Sequence, residues 1–284
     1  MCDKMKLNYK LIALIPIILT IIAGVFTYTN GLKESIDVSG GTEITIMADN
    51  IQLDELKATL PKDVEIRTAK SSSGTFVIIT AGKNADIGEI DKNLRNFFNV
   101  NNLNELQYSQ KQIGASLSSQ FWRDGLTAVG FAFAFMAIVV WMTFRTPIPS
   151  AAVVLAAVSD IILAVAGMSL FNIPISTATV AALLMLLGYS VDTDIMLTTK
   201  ILKRRKGTLD ERIKESMRTG ITMSMTTIIA MFVLYMVVVY IVPAADILKN
   251  ISAVILFGLI ADLMTTWMTN VGILRYYVER KKKN

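Results

Sequence analysis

Six apolar runs, each long enough to cross a lipid bilayer, dictate most of what this chain can become. A membrane-spanning helix needs about 20 predominantly apolar residues, and such runs fall at 11–29, 126–144, 150–170, 175–199, 221–242 and 248–274. Their spacing is uneven: one span, a polar insert, then five spans in close succession. The composition agrees, with 53% hydrophobic and 18% charged residues among 284, against about 25% charged in an ordinary soluble domain. A soluble globule and a disordered chain are both excluded. The first run has no small-residue cleavage site and reads as a retained anchor. The expected division is therefore 1–29, a soluble domain at 30–124, and a five-helix bundle at 125–284.

Short loops set the orientation, because Lys and Arg are retained on the cytoplasmic side. Lys4, Lys6 and Lys10 precede the first span, and Arg145 sits in the turn after the second. The loop at 200–218 carries Lys200, Lys203, Arg204, Arg205, Lys206, Arg212, Lys214 and Arg218, and the tail adds Arg275, Arg280, Lys281, Lys282 and Lys283. The opposite turns are almost uncharged. With six spans every basic cluster falls on one side, so both termini are expected in the cytoplasm and the insert outside. The net charge of +5 is accordingly a topology signal, with anionic lipid as its natural contact, and not a nucleic-acid footprint.

The insert alternates short elements. Residues 42–47 alternate as a strand does. Leu53, Leu56 and Leu60 mark a helix stopped by Pro61, and Val64, Ile66 and Thr68 a second strand. A turn at 71–74 leads into the continuous apolar run 75–80, which suits a central strand. Ile87, Ile90, Leu94, Phe97 and Phe98 mark one face of a second helix, and a last strand is expected at 105–111. The order βαββαβ predicts a two-layer ferredoxin-like sandwich. The fold class is thus a polytopic α-helical membrane protein, one-plus-five, with a small α+β domain outside the cytoplasm. Nothing in that domain has a catalytic pattern.

Four acids lie inside the apolar runs: Asp160, Asp192, Asp194 and Asp262. A charged Asp at the bilayer centre costs about 2.5–3.5 kcal/mol on insertion scales, and such residues mark functional sites. Positions 192 and 194 point about 200° apart around a helix, so one faces the bundle interior and the other meets a different helix or a partner. A carboxyl taken out of water favours its neutral form and releases the proton when water or a cation approaches, which makes the acids candidates for a proton path. The alternative is that they hydrogen-bond across helices to Ser159, Thr193, Ser224, Thr226, Thr227, Thr265 or Thr266. Such bonds average only about 0.6 kcal/mol.

Other chemistry is closed off. There is no histidine and one cysteine, Cys2, so imidazole relays, histidine or thiolate metal sites and an intramolecular disulfide are impossible. No nucleotide loop or nucleophile constellation is present. The chain reads as neither an enzyme nor a cofactor binder.

Several segments carry a family resemblance. Ile36-Asp37-Val38-Ser39-Gly40-Gly41-Thr42-Glu43 resembles the Gly-Gly-Thr motif that follows the first span in the SecD/SecF family of the RND superfamily. Ser159-Asp160-Ile161 with Leu187-Gly188-Tyr189-Ser190-Val191-Asp192-Thr193-Asp194 is similar to that family's third-to-fourth-span region, and Ser224-Met225-Thr226-Thr227 to its fifth span. The modest insert favours the SecF branch. The resemblance implies an auxiliary subunit of the Sec protein-translocation machinery, paired with SecD and assisting a SecY-type translocon. Its cargo is then an exported unfolded polypeptide, and the proton gradient its energy source. By motif it implies Asp160, Asp192 and Asp194 as proton-path residues, with Arg218 matching a basic residue near the start of the fifth span. Gly40, Gly41, Thr42, Gly188, Tyr189 and Ser190 carry the motifs.

The match departs from the bacterial pattern in ways that look archaeal. Asp192-Thr193-Asp194 stands where bacterial members have Asn-Asp-Thr, Thr199-Lys200 where they have Asp-Arg, and Asp262 adds an acid to the sixth span. Two competing expectations remain: a scaffold for SecD and the channel without its own proton path, and half of a small-solute transporter.

Overall fold

The computed structural model describes residues 9–47, 53–61, 64–71, 74–83, 85–103, 108–203, 207–242 and 245–283. Cys2, Lys4, Lys6, Arg204, Arg205 and Lys206, the tip of the turn at 72–73 and the expected start of the last strand at 105–107 lie outside the described residues.

The α+β domain follows the period-2 pattern of its strands. After α1 (Tyr9–Asn30) and a single turn, α2 (Ile36–Ser39), come β1 (Gly41–Met47), α3 (Leu53–Thr59), β2 (Val64–Ser71), β3 (Gly74–Gly82), α4 (Ile87–Phe98) and β4 (Ser109–Ile113). The sheet is antiparallel throughout in the order β2-β3-β1-β4, the ferredoxin-like arrangement that βαββαβ predicts. Ile44, Ile46, Val77 and Ile79 project from the central strands onto Leu56, Ile90 and Leu94, all seven fully buried. Asp86 caps α4 by accepting from the Gly88 and Glu89 N–H groups. Tyr108 donates to Asp91 at 3.1 Å; burial and that carboxylate push its phenol up to about 12. β4 runs later than expected, to Ile113, because as an exposed polar edge it lacks the alternation that would locate it.

The Gly-Gly pair has a backbone cause. Gly40 and Gly41 adopt φ of 73° and 140°, and a Cβ on Gly41 would collide with the Ala81 carbonyl oxygen of β3. Only glycine lets β1 start so close to its neighbour.

Among the described residues, six membrane-length helical rods follow from the apolar runs: α1, α5 (Ala115–Phe144), α6 (Pro147–Leu170), α7 (Thr177–Leu202), α8 (Leu209–Tyr240), and a sixth rod made of α9 (Asp246–Met264), a π-helical stretch (Thr265–Asn270) and α10 (Val271–Lys283). Two rods start well ahead of their apolar segments. α5 starts at Ala115, ahead of the expected 126, and its first turn meets the soluble domain, where the Ser118 hydroxyl donates to the Val38 carbonyl. α8 starts at Leu209, ahead of the expected 221, fixed by a capping box in which Thr208 and Glu211 exchange backbone bonds. Hydropathy marks where a helix meets hydrocarbon, and a cap marks where it starts.

Rods α6, α7 and the sixth pack on one another at the centre, with α1, α5 and α8 outside. Glycines set the closest approaches. A Cβ on Gly258 would collide with Leu186, one on Gly220 with Trp267, and one on Gly272 would lie 2.6 Å from Ala13 Cβ. The soluble domain is fastened to the bundle beside the α6–α7 turn. Ser35 N donates to Ile175 O at 3.0 Å, Ile175 N to Lys33 O at 2.8 Å, and Thr177 to Asp37 at 3.2 Å.

Candidate functional site

Three of the four membrane acids meet where the central rods touch. Asp160 on α6, Asp194 on α7 and Asp262 on α9 are each fully buried. Asp160 accepts two hydroxyls from two other helices: Ser190 of α7 at 2.5 Å on Oδ2 and Thr265 of the π-helical stretch at 2.5 Å on Oδ1. Asp194 Oδ1 accepts from Thr266 at 2.9 Å and from Asn270 Nδ2 at 2.7 Å. The Thr266 hydroxyl also lies 3.0 Å from Asp262 Oδ1, so one side chain stands between two carboxyls. Asp194 Oδ2, Asp262 Oδ2 and Asn270 Oδ1 are buried without a hydrogen-bond partner. No lysine or arginine is hydrogen-bonded or ion-paired to any of the three acids among the described residues.

Local backbone geometry makes this convergence possible. Asp262, Thr266 and Asn270 recur every four residues, and on a plain α-helix that face drifts around the axis. The wider turn, in which Val271 N–H bonds to the Thr266 carbonyl five residues back, turns the chain less per residue and holds Thr266 and Asn270 on one line facing α7. The neighbouring pair Thr265 and Thr269 faces elsewhere. Thr265 reaches Asp160, and Thr269 donates to the Ala13 carbonyl of α1 at 3.0 Å. Pi-helical turns of this kind occur often at functional sites.

Not every expected residue joins. Asp192 is exposed on α7, on the face it shares with Met185, Gly188 and Tyr189; Tyr189 is 40% exposed. Asp194 is therefore the inward member of the pair. A Cβ on Gly188 would meet nothing within 4 Å, so this chain's own packing does not require glycine there. Arg218 lies at an exposed position of α8, and the structure does not bring it to the acids. Of the hydroxyls expected as partners, only Thr265 and Thr266 reach a carboxyl. Ser159, Thr193, Thr226 and Thr227 bond to carbonyls of their own helices. Asn270 and the role of Ser190 escaped sequence reasoning, although the four-residue recurrence 262, 266, 270 was a readable signal for Asn270.

A family model for the C-terminal region of the SecD/SecF protein-export membrane proteins matches residues 93–280. The protein-export membrane protein SecF of Methanocaldococcus jannaschii is 48% identical over 272 residues, spanning 95% of this chain and 96% of that one. The chain belongs to the SecD/SecF family. The SecF protein of Methanothermobacter thermautotrophicus is 45% identical across 98% of this chain and 95% of its own length. The crystal structure of SecDF from Thermus thermophilus, described as a translocon-associated membrane protein, superimposes with a TM-score of 0.73 at 20% identity. At that identity the likeness speaks for the fold. It covers 96% of this chain and 38% of the SecDF chain, so this SecD/SecF-family chain spans well under half of that larger protein. Its one-plus-five rods and small α+β domain are the family's architecture.

Proposed function

We propose that this chain is the SecF-type subunit of a protein-export assembly, pairing with SecD beside a SecY-type translocon and using the proton gradient to favour forward movement of an exported polypeptide. Its termini lie in the cytoplasm and its α+β domain outside, an orientation supported by the basic residues that flank the rods at the end away from that domain. It works without a cofactor and catalyses no covalent reaction.

The observation that carries this reading is the carboxyl cluster. Three acids in hydrocarbon cost about 9 kcal/mol on insertion scales. The four interhelical bonds they accept offset about 2 kcal/mol of that at the average measured for membrane helices. Scaffolding alone leaves the acids unexplained. A hydroxyl has one hydrogen, so Thr266 satisfies Asp194 and Asp262 together only when one of the two carboxyls itself carries a proton. The cluster thus has a built place for a proton, and the three rods that frame it feel its presence or loss through their hydrogen bonds.

The exposed face of α7 supports a partner. A membrane helix that presents an acid, a glycine and a tyrosine outward is suited to close contact with another helix bearing a donor, and SecD is the companion proposed for it.

The test substitutes Asp160→Asn, Asp194→Asn and Asp262→Asn singly and measures export together with recovery of the complex after gentle solubilisation. Slowed export with normal recovery is the expected result. Normal export by all three removes the proton role, and loss of the complex itself favours the scaffold reading.

A further inference from the structure

At the end of the bundle opposite the α+β domain, the close of α5, the start of α6, the close of α7, the first turns of α8 and the middle of α10 surround a cavity of about 340 Å3. Its wall carries three cations, Lys203, Arg212 and Lys281, and two hydroxyl-bearing residues, Thr146 and Tyr277, over an apolar floor that includes Phe144. No carboxylate among the described residues lines it. The acids nearest in sequence are engaged elsewhere: Asp210 and Glu279 pair with Arg275 at 3.2 and 3.0 Å, and Glu211 caps the Thr208 N–H at 2.9 Å.

Two of the cations are held in place. Arg212 Nη1 donates to the Ile201 carbonyl at 2.7 Å, fixing the guanidinium against the last turn of α7. The Lys203 ammonium sits 5.7 Å from the centre of the Phe144 ring, within cation–π range. Thr146 is the N-cap of α6, yet its side chain makes no capping bond, and Oγ1 is buried without a partner. Pro147 and Pro149 remove N–H donors from that first turn, so an anion here is held by side chains. Three cations, one unused hydroxyl and an apolar floor, at the ends of the apolar rods, match a phosphodiester attached to hydrocarbon.

We propose that this cavity binds the phosphate headgroup of an anionic membrane lipid, with Lys203, Arg212 and Lys281 as its charge contacts and the Thr146 hydroxyl as a hydrogen-bond donor.

The test titrates the full chain, purified in nonionic detergent, with phosphatidylglycerol and with phosphatidylcholine, and reads bound lipid by native mass spectrometry. Phosphatidylglycerol is expected to bind at least about tenfold more tightly. Joint replacement of Lys203→Gln and Lys281→Gln is expected to erase about tenfold of that binding, while Arg212 stays to hold the α7 end. The control pair Lys214→Gln with Arg280→Gln, exposed at the same end, is expected to cost less than about threefold, the difference between a defined site and diffuse charge. Thr146→Val alone is expected to weaken binding by about threefold, a typical loss for one hydrogen bond, and reports on the site even if the double variant misfolds. Equal affinity for the two lipids, equal losses in both double variants, or displacement of the lipid by millimolar inorganic phosphate overturns the proposal, the last by showing a free-anion site.

Discussion

Thr265 on the sixth rod donates its hydroxyl to Asp160 on α6 at 2.5 Å, with both side chains buried. Thr265→Val keeps the shape and leaves Asp160 with Ser190 as its one remaining hydroxyl donor. A loss of about 1 kcal/mol is expected, whereas Thr265→Ser retains the bond and most of the stability. Unfolding in mixed micelles measures both, and a larger loss in Thr265→Ser than in Thr265→Val would show that the methyl, not the hydroxyl, matters.

Glycine tolerance should divide the helices by what they touch. Gly258→Ala drives a methyl into Leu186 and is expected to cost about 1–3 kcal/mol. Gly188→Ala meets open space and leaves the isolated chain unchanged, but lowers recovery of the assembled complex if α7 docks there. Thermal stability of the purified chain, compared with co-purification from membranes, checks the two effects separately.

In the soluble domain, Gly41→Ala forces an L-residue to φ near 140° and into the Ala81 carbonyl. Loss of more than about 1 kcal/mol is expected. Gly82→Ala, with nothing within 4 Å of the new Cβ, serves as the mild control. Amide hydrogen exchange in β1 and β3 reads the difference.

Acid should loosen one tether of that domain. Lys33, hydrogen-bonded to Glu65 at 2.5 Å, holds the Glu65 carboxyl below its ordinary value of 4.5, against the opposing effect of partial burial. A carboxyl lowered in the folded state adds stability above its unfolded value and loses it as pH falls through the folded one. The contribution is therefore present above about pH 4.5 and fades below it. Exposed pairs are worth at most about 1 kcal/mol, so the expected change is small and vanishes in Glu65→Gln. Melting curves at pH 5.5 and 3.5 compare the two proteins, and an identical pH response in both would remove the tether.

The number of spans and the βαββαβ order were legible because each rests on a local period or on the length a helix needs to cross hydrocarbon. The inward choice of Asp194 over Asp192 was not, since both lie on one helix and only the packing of α6 and α9 distinguishes them. Asn270 was hidden for a related reason: its four-residue spacing from Thr266 and Asp262 puts it on their face, but its meaning comes from a carboxyl 76 positions away. The early starts of α5 and α8 were missed because their first turns stand outside the apolar runs. The family motifs pointed to Ser190 without saying that its hydroxyl holds Asp160.

Six consecutive residues, Thr265 to Asn270, grip three different helices: α6 through Thr265, α7 through Thr266 and Asn270, and α1 through Thr269. The bundle therefore has an axle. No twist of that short length can be felt by one neighbour alone, and because α1 leads directly into the α+β domain, a disturbance at the carboxyl cluster has a covalent road to that domain.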